Sequence, residues 1–169
     1  MPQVIGQTNS SSNGSLQALY SRCKRIAQRQ LGSFKSSATL SPTALVNEAY
    51  LRLAGGGQTP QGEHLVSLWT RTMRHVLIDY CRSRSAQKRS GNAVSIDECQ
   101  IAEAGDPDAL LGFEQQLKAM EQHDARLARV VELRVYAGLD AAATAVELGV
   151  DVRTVQRDWL RARAWLASQ

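Results

Sequence analysis

"HDARLARVVELRVYAGLDAAATAVELGVDVRTVQRDWLRARAWL", residues 123–166, decides how the chain is read. Leu127, Val130, Val131, Leu133, Arg134 and Val135 predict one helix, ended by Gly138. Asp140 is placed to cap an Ala-rich helix over 141–148, and Gly149 permits a sharp turn. Asp151 is placed to cap a last helix. A short helix, a glycine turn and a second helix are the layout of a helix-turn-helix. The last helix separates its faces. Val152, Val155, Trp159, Ala162 and Leu166 form an inward stripe, while Arg153, Arg157 and Arg161 point away, flanked by Thr154 and Gln156. Arg bridges guanine edges, Gln pairs with adenine, and Thr at a helix N-terminus suits phosphate. The plainer reading of these residues is an amphipathic helix in a bundle. Leu160 falls on the outward side, and the pattern does not explain it.

Upstream, "MRHVLIDYCRSRSAQKRSG" at 73–91 lies in a second helical pattern that begins near Glu63. Leu65, Trp69, Met73, Val76 and Tyr80 form its inward stripe. Arg71, Arg74, His75, Ile78, Arg82 and Ser85 recur on another side, and Arg84, Lys88 and Arg89 extend it. Asp79 is the one acid among six bases between 71 and 89. Like charges on one helix repel by a few tenths of a kcal/mol per neighbouring pair, on the order of 0.2–0.5. A polyanion relieves that repulsion and releases counterions on binding; a solvated basic face is the alternative.

Before it, "LSPTALVNEAYLRLAGGG" starts a helix with Ser41 as cap and Pro42 in the first turn, and stops at Gly55. Val46, Tyr50 and Leu53 form one stripe; Leu45, Glu48 and Arg52 lie on another face beside Ala44, Asn47 and Leu51. That mixed face suits either a partner or plain solvent. A first helix is expected from about Ser15 to Leu31, after a disordered tail over 1–14 containing "SSSNGS".

Hydrophobic residues make up 43% of 169, enough for a packed core, and their spacing is mostly three-and-four, which predicts an all-α protein. Charge divides the chain. Residues 15–91 hold twelve Lys/Arg and three acids, 92–114 hold six acids and no base, and 115–169 hold eight bases and seven acids. The expected organisation is therefore two small helical domains, 15–91 and 115–169, joined by a flexible acidic linker over 92–114. Cys23, Cys81 and Cys99 form no CxxC pair, and with His64, His75 and His123 they show no metal-ligand spacing. No cofactor, no metal and no catalytic residue is expected: the basic domain has three scattered acids and no activated nucleophile. A signal peptide and a bilayer-spanning run are both missing, so a cytoplasmic protein with no membrane partner is expected.

Taken together, "PTALVNEAYLRL", "MRHVLIDYCRSRSAQKR" and "RVVELRVYAGLDAAATAVELGVDVRTVQRDWLRARAWL" resemble the motifs of bacterial sigma factors of the extracytoplasmic-function (ECF) class, in their order and with their gaps, over about residues 15–167. The resemblance implies a non-catalytic sigma factor with helical regions 2 and 4 that binds core RNA polymerase and directs promoter recognition, melting and initiation. It implies that Ala44, Leu45, Asn47, Glu48 and Leu51 dock on the β′ clamp coiled coil, with the β subunit a further contact. Arg71, Arg74, His75, Arg82, Arg84 and Lys88 match the part that engages the −10 element and holds the separated strand, and the Gly55–Glu63 loop matches the pocket for a flipped base. Arg153, Thr154, Gln156, Arg157 and Arg161 match the reader of the −35 element. The linker matches a segment that threads the polymerase cleft, and many relatives are held by an anti-sigma protein. The chain departs from the family pattern at Ala141–Ala143, Gln156, His75, Leu65 and Val66, which bears on the promoter sequence read. The alternative is a helix-turn-helix regulator that binds operators without the polymerase.

Overall fold

The computed structural model describes residues 8–32, 40–56, 65–89 and 107–168. All the ordered elements among them are helical: α1 (Thr8–Gly32), α2 (Pro42–Gly55), α3 (Leu65–Arg89), α4 (Pro107–His123), α5 (Ala125–Val131), a π-helical turn (Glu132–Tyr136), α6 (Ala141–Leu148) and α7 (Val152–Ala167).

Local chemistry sets most of the ends. Ser41 accepts from the Ala44 amide at 3.1 Å and Pro42 occupies the first turn of α2. Asp124 caps α5, Asp140 caps α6 through Ala143 and Asp151 caps α7 through Arg153. Each such cap satisfies an amide that the helix leaves without a partner, worth about 1 kcal/mol. Gly149 closes α6 with φ +64 and Gly138 ends the π turn with φ +69, a conformation that strains residues with a Cβ. Two boundaries differ from the sequence reading. Helix α1 begins at Thr8, inside the tail expected to be disordered, because a nucleated helix gains a hydrogen bond with each added residue. Helix α4 begins at Pro107, inside the expected linker, where Pro107 and Asp108 suit a first turn and Leu110, Phe113 and Leu117 share one face. The rest of that linker, residues 92–106, lies outside the described residues, as does the 57–64 loop.

Helices α1, α2 and α3 pack on one another around Ile26, Ala27, Leu45, Val46, Ala49, Trp69 and Met73. A second core gathers Leu117, Met120, Leu127, Val131 and Ala162, with Trp159 and Trp165 against it. A third, under the helix-turn-helix, joins Val130, Ala145 and Val155. The two lobes are not separate. Leu133 of the π turn and Ala137 just past it are buried in the core of the first lobe, and α4 packs along α3. The π turn widens the backbone: the Ala137 amide reaches the Glu132 carbonyl at 3.3 Å, five residues back. Leu133 and Tyr136 are both buried there, but in different cores. No described helix is long and apolar enough to cross a membrane.

Candidate nucleic-acid interface

Helix α7 presents the more open of two arginine faces. Val155 and Ala162 are fully buried beneath it, and Arg153, Gln156 and Arg157 stand exposed above. Thr154 is half-buried beside the N-terminus of the helix. Arg161 is exposed but tethered, 3.6 Å from Asp158 and 3.6 Å from Asp124. Asp158 is a residue the sequence reading missed. Its side chain is 0% exposed; it accepts from Arg126 Nε at 2.6 Å, and Arg157 Nε lies 3.9 Å away. A carboxylate without solvent requires such partners. The signal was there: Asp158 falls between Val155 and Ala162 on the inward stripe, three residues before Arg161 and next to Arg157. Val152, expected inward, is exposed at the first position of α7, just past the cap. Leu160 and Val146 are strongly exposed on the same helix-turn-helix unit.

The second face, on α3, is largely covered. Arg74 is 3% exposed. It donates from Nε to Glu132 at 2.9 Å and from Nη1 to Glu114, and its guanidinium lies over the Tyr136 ring, 5.8 Å from the centroid. Arg71 is ion-paired with Glu121 of α4. Burial pushes the Glu132 carboxyl above the ordinary range, opposed by Arg74. Next in line, His75 keeps an exposed edge, yet desolvation and the flanking Arg74 and Arg71 charges push its imidazole down to about 4. It is therefore neutral at physiological pH, unlike its neighbours. Farther along, Arg82 is exposed, 3.7 Å from Asp79. Arg84 donates to the Tyr80 hydroxyl at 3.0 Å and lies over its ring. The Lys88 side chain lies outside the described residues.

On α2, Ala44, Asn47, Glu48 and Leu51 share the solvent side, with Leu51 63% exposed. Leu45 does not join them. It is 0% exposed in the first core with Val46, Ala49 and Leu53, so it supports the face from behind. Conversely Tyr50, expected inward, is exposed and stacks on Trp69 with centroids 6.4 Å apart. The two form one wall of a half-open groove of about 560 Å³ shared with Leu19, Tyr20, Cys23 and Val46. Glu48 pairs with Arg52, which also reaches Asp79 of α3 at 2.8 Å and so ties the two helices together.

Among the described residues no group of three or more His, Cys, Asp or Glu is placed to hold a metal. Cys23 and Cys81 are free and buried, and burial pushes both thiols up to about 11, too high for thiolate chemistry.

An all-helical chain with a capped helix-turn-helix and two arginine-bearing helices has the build of a helix-turn-helix DNA-binding protein. The family model for ECF sigma factors matches residues 3–169, and the chain belongs to that family. It is thus a sigma factor; the family is one of non-catalytic proteins of transcription initiation that act with RNA polymerase and promoter DNA. No curated protein and no solved structure gave a match.

Proposed function

We propose that this sigma factor binds core RNA polymerase through α2 and carries it to promoters read at two places. The exposed side of α2, with Ala44, Asn47, Glu48 and Leu51, meets the β′ clamp coiled coil. Helix α7 enters the major groove of the −35 element with Arg153, Gln156 and Arg157 toward the base edges and Thr154 toward phosphate. Arg161 steadies the backbone contact. Helix α3 engages the −10 element and holds the non-template strand as it separates, using Arg71, Arg74, Arg82, Arg84 and Lys88. Melting is then differential binding: affinity for the parted strand over the duplex pulls the equilibrium open. The setting is the cytoplasm, and an anti-sigma protein, where one acts, competes for these same faces.

The observation that carries the reading is the α7 face: arginines and a glutamine exposed on a helix whose inner side is fully packed and whose N-terminus is capped by Asp151. The test is transcription by purified core polymerase, with and without the protein, on a randomised promoter library. Transcripts that require the protein and share two sequence elements are expected. Binding to isolated DNA sites with no effect on polymerase would overturn the reading in favour of a free-standing regulator.

A further inference from the structure

Helix α1 carries a basic face that the roles of α2, α3 and α7 leave unused. Between Thr8 and Gly32 it has four bases, Arg22, Lys24, Arg25 and Arg29, and no acid. Cys23, Ile26 and Ala27 are buried in the first core, and Gln30 donates to the Thr70 carbonyl of α3 at 3.3 Å. On the opposite side Ser21, Lys24, Arg25 and Gln28 are exposed, with Arg22 half-buried at the edge. Arg29 is committed in part elsewhere, since it donates to the Val135 carbonyl at 3.2 Å. Among the described residues no acid is ion-paired with these four bases, whereas Arg71, Arg74 and Arg82 of α3 each meet a carboxylate. Neighbouring charges of one sign on a helix repel, so the face gains from an anion.

What lies between the charges decides which anion fits. A protein interface is anchored by aromatic and apolar side chains. The outward side of α2 offers such an anchor in Leu51, but α1 presents no large apolar side chain between Ser21 and Gln28 on this side. Tyr20, at its border, lines the groove shared with Tyr50. Single-strand binders stack bases on aromatic rings, and this face has no ring to offer. Lys, Arg, Ser and Gln are the residue types that contact duplex phosphate and sugar. From Ser21 to Gln28 the helix rises about 10 Å, the length of roughly three base pairs.

We infer that Lys24 and Arg25, with Ser21, Arg22 and Gln28 around them, bind the phosphate backbone of duplex DNA without regard to sequence. The contact is separate from those proposed for α3 and α7. Each phosphate neutralised there releases counterions, so the face raises affinity for any duplex and loses its effect as salt rises. It holds the protein on DNA while bases are read elsewhere, since phosphate contacts position and base contacts specify. The side chains already face solvent, so no rearrangement is needed.

The experiment uses the full chain and a short labelled duplex of mixed sequence, with affinity read by fluorescence anisotropy over a series of salt concentrations. Lys24→Gln/Arg25→Gln removes the two exposed charges. Lys118→Gln/Arg129→Gln, exposed bases on α4 and α5, is the charge-matched control. Lys24→Arg/Arg25→Lys keeps the charge and alters the shape. The first variant is expected to bind on the order of tenfold more weakly at low salt, with a slope of log affinity against log salt shallower by about 1.8, at about 0.9 per phosphate. The charge-keeping variant should behave as wild type, and the control should keep most of the wild-type slope. An unchanged slope in the first variant overturns the inference, as does an equal change in the control, which would report net charge alone. A wild-type chain that fails to bind the duplex at low salt also overturns it. So does a loss confined to one promoter sequence, which would make the face a base reader. Intact duplex binding with weakened affinity for core polymerase would assign the face to an acidic protein surface instead. The mixed duplex carries no promoter, so this result stands or falls apart from the readings of α3 and α7.

Discussion

Helices α3 and α7 each carry a row of arginines, and the two rows stand in opposite conditions. On α7, Arg153 and Arg157 face solvent, and Asp158, 3.9 Å from Arg157, is buried beneath the helix. On α3, Arg74 is enclosed by two glutamates from across the molecule and Arg71 is held by a third. The residue type is the same; what differs is enclosure, since Arg157 and Arg161 keep exposed guanidiniums beside their acids whereas Arg74 is shut in with its own. A ligand reaches the α7 arginines from solvent, whereas at Arg74 it must first displace an internal partner.

The largest expected effect probes the closed face. Arg74→Met leaves Glu114 and Glu132 buried without their cation, which costs about 3–5 kcal/mol if the lobes stay shut. Urea unfolding would show it; a loss under 1 kcal/mol would mean that the two carboxylates reach water freely and that the enclosure is loose. Next comes the apolar part of the contact. Leu133→Ala, in the first lobe's core, should cost roughly 2–5 kcal/mol through lost burial and a cavity. If the two lobes were independent, the full chain would show two unfolding transitions instead of one.

The open face gives smaller effects. Arg157→Ala should weaken promoter binding by about 1–3 kcal/mol and relax the preference at one base position. An equal loss on every promoter variant would turn Arg157 into a phosphate contact. Asp151→Ala removes the cap beneath the same face and should cost about 1 kcal/mol of stability, seen as a lower thermal midpoint. The last effect is a slope, kept small by solvent screening at the exposed edge of His75. His75 is held neutral down to about pH 4 in the folded chain, against an ordinary value of 6.5. Between those values the unfolded chain takes up a proton that the folded chain does not. Stability should therefore fall as pH drops from about 6.5 towards 4. His75→Asn should flatten that part of the profile; an unchanged slope would locate the acid sensitivity elsewhere.

Much of the helix-turn-helix could be read before any coordinates, because its determinants are local. Asp140 and Asp151 cap within three residues of themselves, Gly149 turns the chain where it stands, and the Val155–Ala162 side follows from helical spacing. The α2 face was half legible. Its start at Ser41 and Pro42 was plain, but Leu45 and Tyr50 exchanged the roles their spacing suggested. On a short helix two adjacent stripes are both apolar, and only the packing of α1 and α3 selects which is enclosed. Asp158 was misjudged by omission: an acid in an inward stripe signals a buried ion pair, yet its partner Arg126 lies 32 residues away.

The sequence by itself determined that the chain is helical, where α2, α6 and α7 begin, and which surface of α7 carries the arginines. Those choices depend on residues within a turn or two of each other. Only the tertiary structure decided the state of α3. Glu114 and Glu132 reach Arg74 from 40 and 58 residues away, and nothing in a charge pattern says which acid will meet which base. The physical reason is that a guanidinium's environment is set by whatever packs against it, and long-range packing is chosen by the whole core rather than by the helix that bears the charge.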